Sequence, residues 1–419
     1  MQELLQLQHN GTNALKTAII LGAGFAGCTI AHLLKNKGWE VKVLEKSSHP
    51  GGGCKTLFYG GHPYTNGPRL YYGYSEKVFK WISKFVDMRD LDFQLRSYVE
   101  SERRFFTYPI HEDDIPYMSK SKHIYRELED IKKDKEDKER PKNFDEYWKS
   151  RVGETLYDMF VNEYSKKMWL LDSNKEIDTF AWSAKDSPIN KGSKAAYKGS
   201  YLAYPYGLNG YDPYFYQCLD GIDVKYKTAF KSLTEDRKGV IDENGETFKA
   251  DLIISTLPID QLLNYEYGTL PYAGRTFIPF VLPIEHIIPG DVLFLHYTQK
   301  EQYTRIVEYK KLTGFEDPNT LMVMELPASS DVGGKLYPYM IKKYINQANE
   351  YRKRLPDNIF SIGRLGTYRY STIEQTIAQA FQAYKTITGE SIDGLDKEFY
   401  QIGDTAIVSD RKNVDSNKE

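Results

Sequence analysis

Residues 17–53 read TAIILGAGFAGCTIAHLLKNKGWEVKVLEKSSHPGGG, and this stretch decides the fold of the chain. It opens with a short apolar run, continues with helical spacing and then returns to a second apolar run. This pattern predicts a buried strand, a helix and a second strand, over residues 17–21, 25–37 and 40–45. A βαβ unit of this kind, with a glycine-rich first turn, is typical of Rossmann-like dinucleotide-binding domains. The sequence therefore predicts an α/β fold that contains a dinucleotide site.

The first turn holds three glycines at G-x-G-x-x-G spacing, namely Gly22, Gly24 and Gly27. Gly22 allows the tight turn, Gly24 lets backbone N–H groups approach a pyrophosphate, and Gly27 lets helix and strand pack closely. Phe25 and Ala26 begin the helix, whose N-terminus directs a partial positive charge toward the phosphates. A purely structural βαβ turn is the alternative interpretation of this spacing.

The residues after the second strand favour FAD over NAD as the dinucleotide. The strand ends in Glu45, whose carboxylate can accept hydrogen bonds from ribose hydroxyls, and Lys46 follows it. A further glycine cluster over residues 51–53 then contributes Gly52 and Gly53. A basic residue beside the acid and a second glycine turn are typical of FAD enzymes of the glutathione-reductase type, whereas NAD dehydrogenases usually lack that turn. A flexible loop is the alternative for the glycine cluster.

Composition narrows the class of protein. The 419 residues are enough for two or three domains, and the net charge of -2 gives no electrostatic case for nucleic-acid binding. No apolar run approaches the ~18 residues of a membrane span, and the polar N-terminal stretch lacks an apolar signal core. The 3 cysteines show no C-x-x-C spacing and suggest neither zinc nor a disulfide framework. We therefore expect a cytoplasmic protein without a membrane or nucleic-acid partner.

The rest of the chain suggests a Rossmann-like FAD-binding domain with an inserted helical domain and an antiparallel β-sheet domain. Helical spacing predicts that residues 75–171 are mostly helical, apart from a short strand at residues 105–110. Alternating or apolar runs predict strands of an antiparallel sheet at residues 292–296, 304–308 and 321–326. The predicted division is an FAD-binding domain over residues 15–74, 204–265 and 340–390, a helical domain over residues 75–180, a substrate domain over residues 181–203 and 266–339, and a flexible tail over residues 408–419.

A second constellation lies near the C-terminus, where residues 360–380 read FSIGRLGTYRYSTIEQTIAQA. In this strand, Gly-Arg turn and helix, Arg364 can neutralise a pyrophosphate bidentately, and the helix N-terminus near Thr372 can face the pyrimidine edge of a flavin. The stretch strongly resembles the C-terminal flavin segment of the UDP-galactopyranose mutases, which carry GRLGTYRY before the same kind of helix. The stretches YTNGPRLYYG, NFDEYWKSRVGETLYDMFVNEYSKKMW, YLAYPYGLNGY and YTRIVEY agree in order, so the resemblance spans roughly residues 17–380.

The resemblance implies a set of site residues by position. Those implied to hold FAD are Gly22, Gly24, Gly27, Glu45, Lys46, Gly52, Gly53, Phe230 and Arg364, with Leu70, Ser371, Thr372 and Ile373 near the flavin ring. Those implied to bind the sugar nucleotide are Phe160, Tyr164 and Trp169 on the nucleotide side, and Tyr201, Arg305 and Tyr370 at the diphosphate. Helix core is the alternative for Phe160 and Trp169, and a surface ion pair is the alternative for Arg305.

The sequence departs from the family pattern at several positions. The family's Gly-Pro-His-Ile-Phe-His reads GPRLYY here, so Arg69 replaces the histidine beside the flavin and could stabilise reduced flavin or contact the sugar. The family's second diphosphate arginine has no arginine counterpart, and the candidate substitutes are Lys185, Lys191 and Lys194. Other family positions, which hold a diphosphate tyrosine, an aspartate and a uracil-contacting glutamine, are occupied by Leu326, by Thr372 and, approximately, by Tyr117.

The resemblance implies an FAD-dependent mutase that interconverts pyranose and furanose forms of a nucleoside-diphosphate sugar for surface glycan biosynthesis. Its mechanism begins with attack of reduced flavin N5 on the anomeric carbon, so an external reductant such as NAD(P)H is implied. Arg305, Tyr370 and Arg69 are the catalytic candidates. The alternatives are an FAD-dependent amine oxidase or desaturase and a non-catalytic flavoprotein that binds a sugar nucleotide. The sequence leaves the sugar, the base and the oligomeric state open, with a homodimer as one option.

Overall fold

The computed structural model describes residues 16–133, 141–179, 189–196 and 201–392, and the predicted tail at residues 408–419 lies outside them. The strands in chain order are β1 (Thr17–Leu21), β2 (Glu40–Glu45), β3 (Leu57–Tyr59), β4 (His62–Tyr64), β5 (Tyr71–Gly73), β6 (Met88–Asp90), β7 (Gln94–Val99), β8 (Arg104–Tyr108), β9 (Tyr201–Pro205), β10 (Asp223–Tyr226), β11 (Phe230–Leu233), β12 (Gly239–Asp242), β13 (Thr247–Lys249), β14 (Leu252–Ser255), β15 (Tyr272–Leu282), β16 (Val292–Tyr297), β17 (Arg305–Glu308), β18 (Thr320–Ser329), β19 (Tyr337–Pro338) and β20 (Ile359–Ser361). The helices in chain order are α1 (Phe25–Asn36), α2 (Glu76–Ile82), α3 (Ser121–Lys133), α4 (Phe144–Tyr157), α5 (Glu163–Trp169), α6 (Asp212–Cys218), α7 (Ile259–Leu262), α8 (Tyr309–Thr313), α9 (Ser330–Gly333), α10 (Lys342–Lys353), α11 (Gly363–Gly366) and α12 (Ile373–Thr388).

A parallel sheet in the order β10-β2-β1-β14-β20 forms the nucleotide-binding part of the molecule. Its central strands β1 and β14 are nearly continuous apolar runs, because both faces of the sheet are covered. On one side β1 pairs with β2, and on the other it pairs with β14, so that Ile19 lies beside Ile253. The chain therefore returns to this sheet after a long excursion, and the predicted α/β fold with a Rossmann-like domain is confirmed.

A mixed sheet in the order β19-β15-β18-β17-β16-β7-β8 forms the second layer. Neighbouring strands are antiparallel except for β16 and β7, which run parallel. Strands β16, β17 and β18 fall where the sequence predicts them. Strand β15, which is 11 residues long, is not predicted, because Gly274, Arg275 and Pro279 interrupt its apolar pattern.

The segment predicted to be mostly helical contains more strand than expected. Strand β7 alternates between half-buried and buried residues, which is the period of a strand, and it joins the mixed sheet together with β8. Strand β6 pairs with β9 in a small sheet ordered β5-β9-β6. The predicted strand at residues 105–110 is confirmed by β8, whereas the expectation of a mostly helical segment is wrong for residues 88–99.

Helices α3, α4 and α5 pack around their own apolar cluster, which includes Trp148, Leu156 and Phe160. The helical run over residues 144–169 bends at Gly153, which has φ of 81°. A side chain at this position would meet the Glu127 side chain, and both Glu127 carboxylate oxygens accept from the backbone N–H of Thr155. One turn of π-helix over Asp158–Asn162 then leads into α5. The bend and the π turn set the direction in which α5 approaches the mixed sheet.

Candidate functional site

The glycines of the first turn differ in their surroundings, since some face packed atoms and one faces open space. Gly22 adopts φ of 97°, and its N–H donates to the Leu44 carbonyl at 2.9 Å. A side chain at Gly27 would collide with the Gly22 carbonyl oxygen, so Gly27 is required for the close approach of helix and strand. Gly24 has no atom within 4 Å of the position that a Cβ would take. Because α1 begins at Phe25 without a side-chain cap, its first N–H groups face this open space.

Glu45 fixes the end of β2 against this turn. Its carboxylate is buried and accepts from the backbone N–H of Ala23 at 2.7 Å and from that of Ser47 at 2.8 Å. Lys46 is exposed, so the orientation of the carboxylate is set by backbone donors. A ribose contact from Glu45 stays a prediction.

The second glycine cluster packs directly on the first. The N–H of Gly51 donates to the Ala23 carbonyl at 2.7 Å, and a turn of helix follows over Gly52–Cys54. A Cβ at Gly52 would lie 3.6 Å from the Gly24 Cα. We call Gly24, Gly52 and Gly53 the glycine cradle, since two turns without side chains meet there at one opening.

This opening belongs to a cavity of about 360 Å³. Many of the predicted site residues line it, namely Gly24, Phe25, Ala26, Gly53, Arg69, Leu70, Arg305, Arg364, Tyr370, Ser371, Thr372 and Ile373. The cavity therefore brings together sequence segments that are more than 300 residues apart.

Arg364 and the start of α12 form one side of the cavity. The Arg364 guanidinium donates to the Ser371 carbonyl at 2.6 and 3.2 Å and to the Leu336 carbonyl at 3.3 Å. Thr372 caps α12, because its hydroxyl accepts from the Gln375 N–H at 3.2 Å and its own N–H donates to the Gln375 side chain at 3.0 Å. Arg364 thus holds the turn before α12 in place, and its contact with a pyrophosphate stays a prediction.

We call Arg69, Arg305, Arg364, Tyr337 and Tyr370 the arginine–tyrosine wall, because all five line the same cavity. Arg305 Nε lies 2.7 Å from the Glu325 carboxylate, whose side chain is only 1% exposed. Glu325 is buried and Arg305 is half-buried, so Arg305 does form an ion pair, but at the cavity and not on the outer surface. Arg69 Nε donates to the Gly53 carbonyl at 3.2 Å, which joins the wall to the cradle.

Tyr337 lies among the positively charged side chains of this wall. Its ring stacks on that of Tyr370 with centroids 5.8 Å apart and an interplanar angle of 13°. Burial alone would raise its pKa, but the positive charges of Arg69, Arg305 and Arg275 outweigh burial and hold the Tyr337 pKa below its ordinary value. Tyr337, Glu325 and Arg275 were not predicted from the sequence.

Tyr164 approaches the wall from α5. Its ring lies 5.2 Å from that of His296, and burial raises the pKa of its hydroxyl to about 12 in spite of the nearby Arg305 charge. Two basic side chains fasten this helix. Lys167 donates to the carbonyls of residues 297, 299, 301 and 303 at 2.6–3.1 Å, and Arg275 donates to the Met168 carbonyl at 2.6 Å. Tyr164 is therefore held on a helix tied to the strand loop that precedes Arg305.

Besides Tyr164, four predicted aromatic residues do not line the cavity. Phe160 is 1% exposed and packs on Phe106, so helix core describes its place in the structure. Trp169 is buried in the same cluster, although its ring also contacts Tyr337 at 6.2 Å. Tyr201 stacks on Phe79 with centroids 4.9 Å apart. Phe230 belongs to the apolar cluster under the parallel sheet.

The residues considered as substitutes for the missing family arginine lie elsewhere. Lys191 forms an ion pair with Glu112 at 2.7 Å, and Lys194 lies 3.7 Å from two aspartates beside it. Lys185 lies outside the described residues. Tyr117, considered for the uracil position, is 66% exposed. Arg275 instead brings a second guanidinium to the Arg305 region, where burial and the nearby Arg305 charge lower the pKa of Arg275.

The residues that line the cavity fit a flavin dinucleotide. A side chain at Gly24 would enter space that the protein leaves open, and the uncapped N-terminus of α1 offers donors at that point.

Within the described ranges, no group of three or more potential metal ligands converges. Across the same ranges, none of the helices has the length and apolar character to cross a bilayer.

Comparison with family models gives two matches. One, described as UDP-galactopyranose mutase, covers residues 159–370, which is just over half of the chain. The other, described as an NAD(P)-binding Rossmann-like domain, covers residues 20–85. Together they span the glycine cradle and most of the arginine–tyrosine wall.

Individual proteins agree with these matches. A dTDP-fucopyranose mutase of Escherichia coli is 25% identical over 383 residues, which are 88% of this chain and 97% of that protein. A probable UDP-galactopyranose mutase of Klebsiella pneumoniae is 24% identical, covering 88% of this chain and 93% of the relative. A crystal structure of reduced UDP-galactopyranose mutase shares the fold with a TM-score of 0.76 at 17% identity, covering 90% of this chain and 94% of that one.

Proposed function

The chain belongs to the UDP-galactopyranose mutase family, and from this premise we propose that it is a flavin-dependent isomerase that interconverts the pyranose and furanose forms of a nucleoside-diphosphate sugar. The observation that carries the proposal is the single cavity in which Gly24 and Gly53 face the same space as Arg305 and Tyr370. A cofactor cradle and a cationic wall for a diphosphate are the two parts that such a reaction needs. Its lining residues fall within all three of the ranges that the sequence predicts as domains.

The glycine cradle would hold the FAD pyrophosphate against the N-terminus of α1, and Glu45 would accept from the ribose hydroxyls. Leu70 and residues 371–373 would lie along the flavin ring. When bound in its reduced form, FAD supplies the nucleophile N5 for the anomeric carbon. Because isomerisation consumes no net electrons, an external reductant such as NAD(P)H is needed only to prepare that form.

Arg305 would bind the diphosphate that leaves the anomeric carbon. Negative charge grows on the leaving phosphate oxygens, so a fixed guanidinium stabilises the transition state more than the ground state. Glu325 holds this guanidinium in place before the substrate binds. Tyr164 and Tyr370 would donate further hydrogen bonds, and Arg69 would place a positive charge between the cradle and the sugar.

The substrates to try first are those of the relatives, dTDP-fucopyranose and UDP-galactopyranose. We propose that the furanose product serves surface glycan biosynthesis. The reaction type is tested by incubating dithionite-reduced enzyme with each sugar nucleotide and separating the products by chromatography with mass detection. An isomer of equal mass supports the proposal. In a parallel incubation of oxidised enzyme in air, a product that lacks two hydrogens would instead identify an oxidase or desaturase. Binding without any product in either state would identify a non-catalytic flavoprotein.

A further inference from the structure

Lys167 on α5 is surrounded by backbone carbonyl groups. Its ammonium group donates at 2.9, 3.1, 2.6 and 3.0 Å to the carbonyls of Tyr297, Gln299, Glu301 and Tyr303, which we call the carbonyl ring. The Glu301 carboxylate lies 3.9 Å away, beyond hydrogen-bond distance, and the Lys167 side chain is only 14% exposed. This ammonium group is therefore bound mainly by neutral oxygen atoms.

The carbonyl ring belongs to the loop between β16 and β17, in which every second carbonyl from residue 297 to residue 303 faces the same point. Carbonyl oxygens that face one point repel one another. A cation at that point offsets the repulsion, as it does in the potassium-binding filters of ion channels. The conformation of this loop therefore depends on a positive charge at the position of the Lys167 ammonium group.

The same ammonium group connects the two elements that carry Arg305 and Tyr164. Arg305 is the first residue of β17 and follows the carbonyl ring by two residues. Tyr164 precedes Lys167 by three residues, about one turn, on a helix of 7 residues. Because so short a helix is marginal on its own, the position of Tyr164 relative to Arg305 depends on tertiary contacts such as those of Lys167.

We propose that Lys167 is a positioning residue of the reaction, an inference that rests on the proposed function. Lys167 does not line the cavity, so it acts through Tyr164 and Arg305 and not by touching the substrate. Its ammonium group serves as a tethered monovalent cation that joins the carbonyl ring to α5 and so fixes these two residues relative to the diphosphate. A free cation of similar size should be able to replace it.

The test uses Lys167→Met, which keeps an unbranched stem and removes the ammonium group. The assay holds ionic strength with tetramethylammonium, which has no N–H donor and is too large for the carbonyl ring. With reduced holoenzyme and UDP-galactopyranose or dTDP-fucopyranose at pH 7, kcat for furanose formation should fall by ~10², the cost of a small displacement of positioning groups. FAD content should stay near that of the wild type, because α5 lies outside the glycine cradle.

Lys166→Met is the matched control. It removes the neighbouring lysine of the same helix, whose ammonium group pairs with Glu163 and not with the carbonyl ring. Its kcat should stay near that of the wild type. A loss equal to that of Lys167→Met would reduce the effect to the net charge of α5 and would overturn the proposal.

Rescue by a free cation tests the mechanism itself. When K⁺ or ammonium replaces tetramethylammonium at equal ionic strength, kcat of Lys167→Met should rise by ~10-fold and saturate, since the ion binds the folded protein at the carbonyl ring. The thermal midpoint of this variant should rise with the same ions. The wild type and Lys166→Met should show neither response. Absence of both responses in Lys167→Met would overturn the cation role.

The charge of Lys167 also predicts a pH dependence, because burial lowers its pKa to about 8. The titratable groups around it are Glu301, Glu163, Glu100, Tyr297, Tyr303 and Tyr98. The three carboxylates favour the charged form of Lys167, and burial raises the pKa of the Tyr297 and Tyr303 hydroxyls. Wild-type turnover should therefore decline as the pH rises through about 8. Potassium does not titrate, so Lys167→Met saturated with K⁺ should lack this decline, and identical alkaline limbs would contradict the proposal.

Lys167→Gln is a second variant that keeps the proposal falsifiable if Lys167→Met does not fold. Its amide offers two N–H donors to the carbonyl ring without a charge, so turnover should still fall. Wild-type turnover in either variant, measured in tetramethylammonium, would overturn the positioning role. If wild-type enzyme forms no furanose from either sugar nucleotide, the proposed function fails instead, and the ion-dependent thermal midpoint, which needs no substrate, still tests the carbonyl ring.

Discussion

The glycine cradle and the arginine–tyrosine wall line the same cavity, yet they are assembled in opposite ways. The cradle comes from residues 24, 52 and 53, within one βαβ unit and the turn after it. The wall gathers side chains from residue 69 to residue 370 through pairing of distant strands. The cradle therefore requires only a short sequence motif, whereas the wall requires the whole fold to bring its residues together.

The largest effects are expected for two glycines of the first glycine turn, and the two effects should differ in kind. Gly24→Val should give a folded protein without FAD, because φ is -84° and the new side chain would project into open cavity space. Gly27→Val should instead fail to fold, since its side chain would collide with the Gly22 carbonyl. Flavin absorbance per protein and circular dichroism distinguish the two outcomes. A Gly24→Val protein with stoichiometric FAD would place the pyrophosphate elsewhere.

The next largest effect is expected for Arg305 in the wall, whose replacement should leave FAD binding at the cradle unchanged. Arg305→Ala should lower kcat by ~10²–10³, the usual cost of removing one donor to a developing negative charge. Arg305→Lys keeps the charge but loses the planar fork, so it should recover only part of this loss. FAD content should be unchanged in both variants. Because Lys191 and Lys194 pair with acidic residues elsewhere, neither is expected to compensate for the loss of Arg305.

A control for Arg305 is Arg126→Ala, which removes a positive charge from the exposed face of α3. Turnover of reduced enzyme and affinity for UDP or dTDP are the measurements. If Arg305→Ala behaves like Arg126→Ala in both, the wall does not bind the diphosphate.

The smallest effect is expected for Lys46, which the resemblance to the family places at the cofactor. Its side chain is exposed, and an exposed charge contributes ~0–1 kcal/mol to an interaction. Lys46→Ala should therefore weaken FAD binding by less than about tenfold at low ionic strength, and the difference should vanish in high salt. Fluorescence titration of apoprotein with FAD measures it. A loss comparable to that of Gly24→Val would mean that electrostatics, not backbone approach, dominates the cradle.

The contrast between cradle and wall also explains which features could be predicted from the sequence. Strands β1 and β2 and the start of helix α12 near Thr372 were predicted to within a residue, because apolar periodicity and capping are local. The wall was predicted only in part. Arg305 lies directly opposite Glu325 in the β17–β18 register, and this cross-strand pair is invisible until the register is known.

Tyr337 and Arg275 were missed for the same reason. Strand β19 pairs Tyr337 with Ala273 on β15, which brings Tyr337 next to the Arg275 side chain two residues further along the same face. Neither residue belongs to a sequence motif, and β15 itself was not predicted. Conversely, the resemblance places Tyr201 and Phe160 at the substrate, whereas neither lines the cavity in the structure. Tyr201 packs on Phe79, and Phe160 packs on Phe106.

The central claim is that the cofactor of the cradle and the substrate of the wall react in one cavity. It is tested most directly by comparing isomerisation of the same sugar nucleotide by oxidised and by fully reduced enzyme, with FAD content fixed and oxygen excluded. The account predicts that furanose forms only with reduced enzyme and that no reducing equivalents are consumed per turnover. Equal rates with oxidised and reduced FAD would contradict it, because the flavin would then take no part in the chemistry at the sugar.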